Sequence, residues 1–232
     1  MKLKSCDKLL IIGDVHGLVG GYYDLLEEKV VSSNETVKSI QLGDFGFEKE
    51  YKKRNQIFEK SSSLNKKDHL FFGGNHDDYN SLPEFHIGNF GELPFIENSY
   101  FVRGAESIDK AKRTPGHDWW PEEELNWRQA RMCAADYEEK NPSVVITHDA
   151  PGNVCKKIFP DKKINSSATI KLLQALYDAS PPDLWVFGHW HEDKVKKVDQ
   201  TIFVCLDELS TFEFESDRSL KADIKAHVEK LQ

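Results

Sequence analysis

Five times along the chain a short, largely apolar run stops at a small residue and is followed at once by side chains that bind metals. Residues 9–12 lead into Gly13-Asp14-Val15-His16-Gly17, residues 37–42 into Gly43-Asp44, and residues 69–72 into Gly73-Gly74-Asn75-His76-Asp77. Residues 143–146 lead into Thr147-His148-Asp149, and residues 184–187 into Gly188-His189-Trp190-His191. A short continuous apolar run ended by glycine reads as a strand buried on both faces. In extended chain, side chains two apart point the same way, so Asp14 and His16 can grip one ion. The pattern restricts the fold: five strand ends have to meet.

The intervening sequence supplies a scaffold that allows this. Residues 18–29 read as a helix with Tyr22, Leu25 and Leu26 on one face, and residues 48–64 as a solvent-facing helix. Alternating strands and helices imply a layered α/β architecture with parallel pairing. In such sheets ligands gather beyond the carboxyl ends of the strands, where every block lies. Residues 78–124 are less regular, with a short strand at 100–102 and a polar loop over 107–121. Pro121 followed by Glu122, Glu123 and Glu124 predicts the start of a helix that runs to about Lys140 and stops at Asn141-Pro142.

Ser166 or Ser167 caps a helix carrying Ile170, Leu173, Leu176 and Tyr177, and residues 194–198 and 201–206 form a hairpin across Asp199-Gln200. Leu220, Ile224, Val228 and Leu231 recur at helical spacing, as in an amphipathic helix that packs on the body or on a second subunit; oligomeric state stays open. With no repeat or linker, 1–232 reads as a single domain, with 217–232 its C-terminal helix.

A net charge of −8 argues against a general nucleic-acid binder, which carries a basic face. The four cysteines, Cys6, Cys133, Cys155 and Cys205, lie far apart with no C-x-x-C pair, as expected of reduced, mostly buried thiols. No run is long enough for a membrane span or signal peptide, so no membrane partner and a cytoplasmic location are expected.

The donors are carboxylate, imidazole and amide oxygen, with no thiolate. That mixture suits a divalent transition metal better than calcium or magnesium: manganese first, with iron, zinc, nickel or cobalt as alternatives. Two such ions sharing a carboxylate can clamp a phosphoryl group and lower the pKa of a bridging water to near neutrality.

The five blocks, in this order, resemble the calcineurin-like metallophosphoesterase family, whose pattern is D-x-H, G-D, G-N-H-D/E, a single H and G-H-x-H. The resemblance spans roughly residues 9–193. It implies a two-sheet β-sandwich flanked by helices, an α/β fold. It also implies a binuclear centre in which Asp14, His16 and His191 hold one ion, Asn75, His148 and His189 the other, and Asp44 bridges. His76 would then act as general acid or charge stabiliser at the leaving group, with Asp77 orienting its ring and Asp149 supporting from behind.

The implied reaction is hydrolysis of a phosphate ester by in-line attack of a bridging hydroxide, on a small phosphomonoester, phosphodiester or nucleotide. A nuclease or protein phosphatase of the same superfamily is the alternative. The Gly-Asp-Val-His-Gly form also resembles the protein serine/threonine phosphatase and diadenosine-tetraphosphatase branch. That branch continues its second block with Asp-Arg-Gly, whereas this chain has Gly43-Asp44-Phe45-Gly46. A non-catalytic protein-binding scaffold, like the retromer subunit of this fold, is the remaining rival; such scaffolds often lose the histidine that stands here as His76.

Outside the blocks, Arg103, Arg113 and His117 are candidates to bind substrate phosphate, with structural ion pairing as the alternative. Trp119 and Trp120 wedge the loop onto the core or stack a base, and His69, His86 and His227 read as ordinary surface or core residues.

Overall fold

A computed structural model describes residues 2–46, 64–83 and 85–232. The helix expected over 48–64 lies outside the described residues, apart from Leu64. The strands in chain order are β1 (Lys8–Ile12), β2 (Val37–Gln41), β3 (His69–Phe71), β4 (Phe90–Gly91) and β5 (Ser99–Val102), then β6 (Val144–Thr147), β7 (Leu184–Phe187), β8 (Lys194–Val198), β9 (Thr201–Cys205) and β10 (Thr211–Glu215). They form two mixed sheets, ordered β10-β1-β2-β3 and β4-β5-β6-β7-β9-β8. The first sheet is parallel except for its antiparallel edge strand β10, and the second has a parallel centre with antiparallel strands, β4 and β8, at its two edges.

The apolar runs form strands because each face of each sheet is covered. In β1, Leu9 and Ile11 join the core between the sheets, with Ile40, Val186, Val204, Phe212 and Phe214. Leu10 and Ile12 point the other way, onto Tyr22 and Leu26 of α1 (Val19–Leu26) and onto Phe71. All four are fully buried, and each contributes about 1.5–3 kcal/mol on leaving water. The chain continues past α1 in wider π-type turns over Glu27–Val31.

The second sheet's outer face is covered by α2 (Trp127–Lys140), α3 (Gly152–Ile158) and α4 (Ala168–Ala179). They pack Cys133, Tyr137, Val154 and Leu173 against Val145, Trp185 and Phe203. Ser167 caps α4, its Oγ accepting from the Ile170 amide at 3.0 Å.

The helix expected from Pro121 begins six residues later. Pro121–Glu123 make a single tight turn, Glu124 is extended (φ −110°, ψ 152°), and Asn126 caps α2 in a reciprocal box with Gln129. Three elements have no counterpart among those expected: the short β4, α3 and β10. The last alternates apolar and acidic residues, with Phe212 and Phe214 buried.

The last helix, α5 (Leu220–Lys230), lies on this sheet, but its buried face differs from the apolar stripe. Asp223 and His227 are the buried pair, His227 lying 5.1 Å from the Phe212 ring centre, while Leu220 and Ile224 are half-buried and Leu231 is exposed. Among the described residues no helix is long and apolar enough to cross a membrane.

Candidate metal centre

The parallel registers level the strand ends. Ile12 pairs with Gln41 and Gln41 with Phe71 in one sheet, Thr147 with Phe187 in the other. The five blocks therefore leave their strands side by side, and bonds between the sheets close the gap. His148 Nδ1 donates to the Leu42 carbonyl at 2.9 Å, and the His189 amide donates to Asp14 Oδ2 at 3.1 Å. Gln41 ties the first two blocks together: its amide nitrogen donates to the Gly13 carbonyl at 3.1 Å and its amide oxygen accepts from the Gly43 N–H at 3.0 Å.

Two groups of donor atoms result. In the first, His191 Nε2 lies 3.2 Å from Asp14 Oδ2 and 2.9 Å from His16 Nε2, which is 3.6 Å from Asp14 Oδ2. In the second, His148 Nε2 lies 3.4 Å from Asp44 Oδ2 and 3.1 Å from Asn75 Oδ1, with the His189 ring centre 5.1 Å from that of His148. His16 Nε2 is also 3.7 Å from Asp44 Oδ2, so Asp44 stands between the two groups. Ligand atoms of Asp14, His16 and His191, and of Asp44, His148 and His189, lie within 4.8 Å of one another in each set, and a third set, His16, Asp44 and His76, links the two and brings His76 to their edge.

The backbone bends sharply to do this. His16, Asp44, His189 and His191 have φ of 43°, 54°, 65° and 51°, a left-handed conformation that costs roughly 1–3 kcal/mol per residue and collects at functional sites. Two glycines make room: a Cβ on Gly188 would collide with Asp14 Oδ1, and one on Gly74 with Asp44 Oδ1.

Charge is balanced within the cluster. Burial works against ionising Asp14 and Asp44, yet His148, with His16 and neighbouring imidazoles, holds both carboxyls below the usual range. Burial likewise opposes charge on His148, but Asp44 and Asp14 outweigh it and push the imidazole up to about 10. With Nδ1 committed to Leu42, His148 turns Nε2 toward Asp44 and Asn75, the nitrogen that would bind an ion on giving up its proton. Oxygen and nitrogen donors that converge without a thiolate, around two fully buried carboxylates, fit divalent transition ions.

A sequence model of calcineurin-like phosphoesterases matches residues 7–193. The chain belongs to that family. Calcineurin-like phosphoesterases are metal-dependent hydrolases of phosphate esters with a binuclear centre, and the chain is of that kind. Among solved structures it is similar in fold to a dimetal phosphatase from Danio rerio (TM-score 0.52, 12% identity, 90% of this chain and 92% of that one). The protein TT1561 of Thermus thermophilus is comparable (0.51, 12%, 89% and 91%). So is GAP50, the anchor in the inner membrane complex of Plasmodium (0.50, 14%, 92% and 79%). No curated protein of matching sequence was found.

Around this calcineurin-like centre lies a cleft of about 660 Å³, lined by Asp44, Asn75, His76, Arg113, His189 and His191 among others. His76 sits at its edge, its ring centre 5.0 Å from that of His16. Burial lowers its pKa, with Arg113 and His16 adding to the effect. No hydrogen bond joins Asp77 to that ring. Its carboxylate accepts instead from the backbone N–H groups of Phe45 (3.3 Å), Gly46 (2.7 Å) and Gly74 (2.9 Å), tying the second block to the third.

The group against the His76 ring is Arg113, whose Nη1 and Nη2 lie 3.2 and 3.3 Å from its two nitrogens, with Nε bonded to Asp109 at 2.6 Å. Arg103 is 3% exposed, stacked over Tyr79 and bonded to Asn89 and the Glu122 carbonyl, and does not reach the cleft; His117 is exposed and not among its lining residues. Asp149 Oδ1 accepts from the Trp190 indole at 2.9 Å, fixing the residue between the last two histidines. Trp120 is buried and Trp119 bonds to Glu123, so both serve the loop. The sequence alone did not single out Gln41, Ser107 or Glu123. A glutamine inside an apolar strand before Gly-Asp was the available signal for the first.

Proposed function

We propose that the chain hydrolyses a small phosphomonoester or phosphodiester, with Asp14, His16 and His191 holding one divalent ion, Asn75, His148 and His189 a second, and Asp44 shared. The observation that carries this reading is the pair of donor groups on either side of Asp44. When bound, the ions supply a water of lowered pKa and offset the charge of the phosphate.

The protein's own groups do the rest. His76 faces the departing ester oxygen and stabilises or protonates it. Arg113, its Nε held by Asp109 and its terminal nitrogens beside the His76 ring, brings a fixed positive charge to the cleft that attracts the phosphate. The buried Asp14 and Asp44, held ionised by the imidazoles around them, present fixed negative charge to the ions.

A cleft of about 660 Å³ is in the range of small-molecule sites, and the net charge of −8 disfavours long nucleic acids. Manganese is the first choice of metal, since the donors mix carboxylate with imidazole. The test is turnover of p-nitrophenyl phosphate and its bis form with added Mn2+ or Ni2+, followed by cyclic nucleotides. Loss of turnover in Asp44→Asn supports the reading, and unchanged turnover in that variant overturns it.

A further inference from the structure

Behind the cleft a line of buried hydrogen bonds ends on Asn75. Asn75, Ser107 and Glu123 are 2, 1 and 2% exposed. Glu123 Oε1 accepts from the Trp119 indole at 2.8 Å and from the Ser107 amide at 3.1 Å, while Oε2 accepts the Ser107 hydroxyl proton at 2.6 Å. Burial pushes the Glu123 carboxyl up, and these three donors pull it back.

A serine has one proton to give. With that proton on Glu123, Ser107 Oγ accepts from Asn75 Nδ2 at 3.2 Å. The amide oxygen is then turned the other way, 3.1 Å from His148 Nε2. The two ends of an asparagine amide have nearly the same shape, so packing does not choose between them; hydrogen-bond polarity does.

The anchor of the line is fixed to the loop that carries Asn75. The Gly104 amide donates to the Gly73 carbonyl at 2.9 Å. Gly104 has φ +85°, and the Glu123 carbonyl occupies the place of its missing Cβ. Arg103 Nη1 holds the Glu122 carbonyl.

We infer that Glu123, acting through Ser107, is a positioning residue that sets the polarity of the Asn75 amide and so presents its oxygen to the ion shared with His148 and His189. The inference rests on the ligand assignment proposed above. In Glu123→Gln the new amide nitrogen donates to Ser107 Oγ, the hydroxyl proton turns toward Asn75, and the asparagine is favoured with its NH2 group in the ion's place.

The test is calorimetric titration of the chelator-treated full chain with MnCl2, with thermal melting of each metal-free variant. Wild type is expected to take up two ions. Glu123→Gln and Ser107→Ala should weaken one of them by about tenfold and leave the other unchanged, while Ser107→Thr, which keeps the hydroxyl, should match wild type. If either folded variant binds both ions as wild type does, or loses both equally, the inference is overturned; the serine pair decides the matter if Glu123→Gln does not fold. Wild-type protein that takes up no pair of ions overturns the metal centre itself, a separate result.

Discussion

His148 Nδ1 donates to the carbonyl of Leu42 at 2.9 Å, joining two sheets across a sequence separation of 106 residues. The bond leaves Nε2 pointing at Asp44 and Asn75, and in the metal-free protein the charged imidazole is the counterion of two buried carboxylates.

Removing that imidazole should therefore harm the protein twice. His148→Ala is expected to lower phosphoesterase turnover by about a hundredfold or more, through loss of one ion. It should also destabilise the metal-free chain by about 3–5 kcal/mol, because Asp44 is left buried without its partner. Chemical denaturation in the presence of a chelator measures the second effect apart from the first.

His76 is expected to act in the chemical step. His76→Ala should lower kcat by about 10²–10⁴ while the protein still takes up both ions, as read by metal analysis after gel filtration. Arg113→Met should raise KM for an anionic substrate, with a smaller effect on kcat. Equal loss in Asp109→Ala would show that pinning the guanidinium matters as much as its charge.

Gly188 carries a further prediction. A methyl group there would meet Asp14 Oδ1, so Gly188→Ala should displace that carboxylate and weaken the ion held with His16 and His191. Far-ultraviolet circular dichroism is expected to remain that of wild type, since Gly188 follows the end of β7. Titration with Mn2+ reads the loss.

Asp223 gives a pH-dependent prediction away from the centre. It is 1% exposed, and burial pushes its pKa up to about 6 from 3.8, with the Glu215 backbone opposing. A folded-state value above the unfolded one means that the native chain holds the proton more tightly. Its favourable contribution is complete below about pH 3.8 and is lost as pH rises through 6. Asp223→Asn should therefore be more stable than wild type by about 1–3 kcal/mol at pH 8, and the gain should shrink as pH falls through 6 and vanish near 4. Taking the difference between the two proteins at each pH removes the separate titration of His227, whose own pKa burial lowers.

Much of the centre could be read from the sequence because each block is local, with strand, turn and donor contiguous. The expectation of extended donors did not hold: they lie past the strand ends, where left-handed turns at His16, His189 and His191 send the last two histidines to different donor groups. What could not be read depends on partners far away. Asp77 follows His76 directly, yet the turn sends its carboxylate to the backbone of Phe45, Gly46 and Gly74. Three basic residues of the middle loop looked alike as phosphate binders, and only the structure separates Arg113, at the cleft, from Arg103, which clamps the Glu122 carbonyl.

The start of α2 was legible but outweighed: Asn126 and Gln129 make the capping box, while Pro121 and three acids gave a louder signal. The strand β10 alternates visibly, but its place beside β1 follows from antiparallel pairing of Leu10 with Glu213, which no local pattern specifies.

The mixed origin of the two donor groups has a mechanical consequence. Asp14, His16, Asp44 and Asn75 come from one sheet, and His148, His189 and His191 from the other. Any ion gripped as proposed is gripped by both, like a rivet through two plates. Sliding one plate against the other would break the grip before either lost its own ladder of bonds, so catalysis should fail on heating while both sheets are still intact.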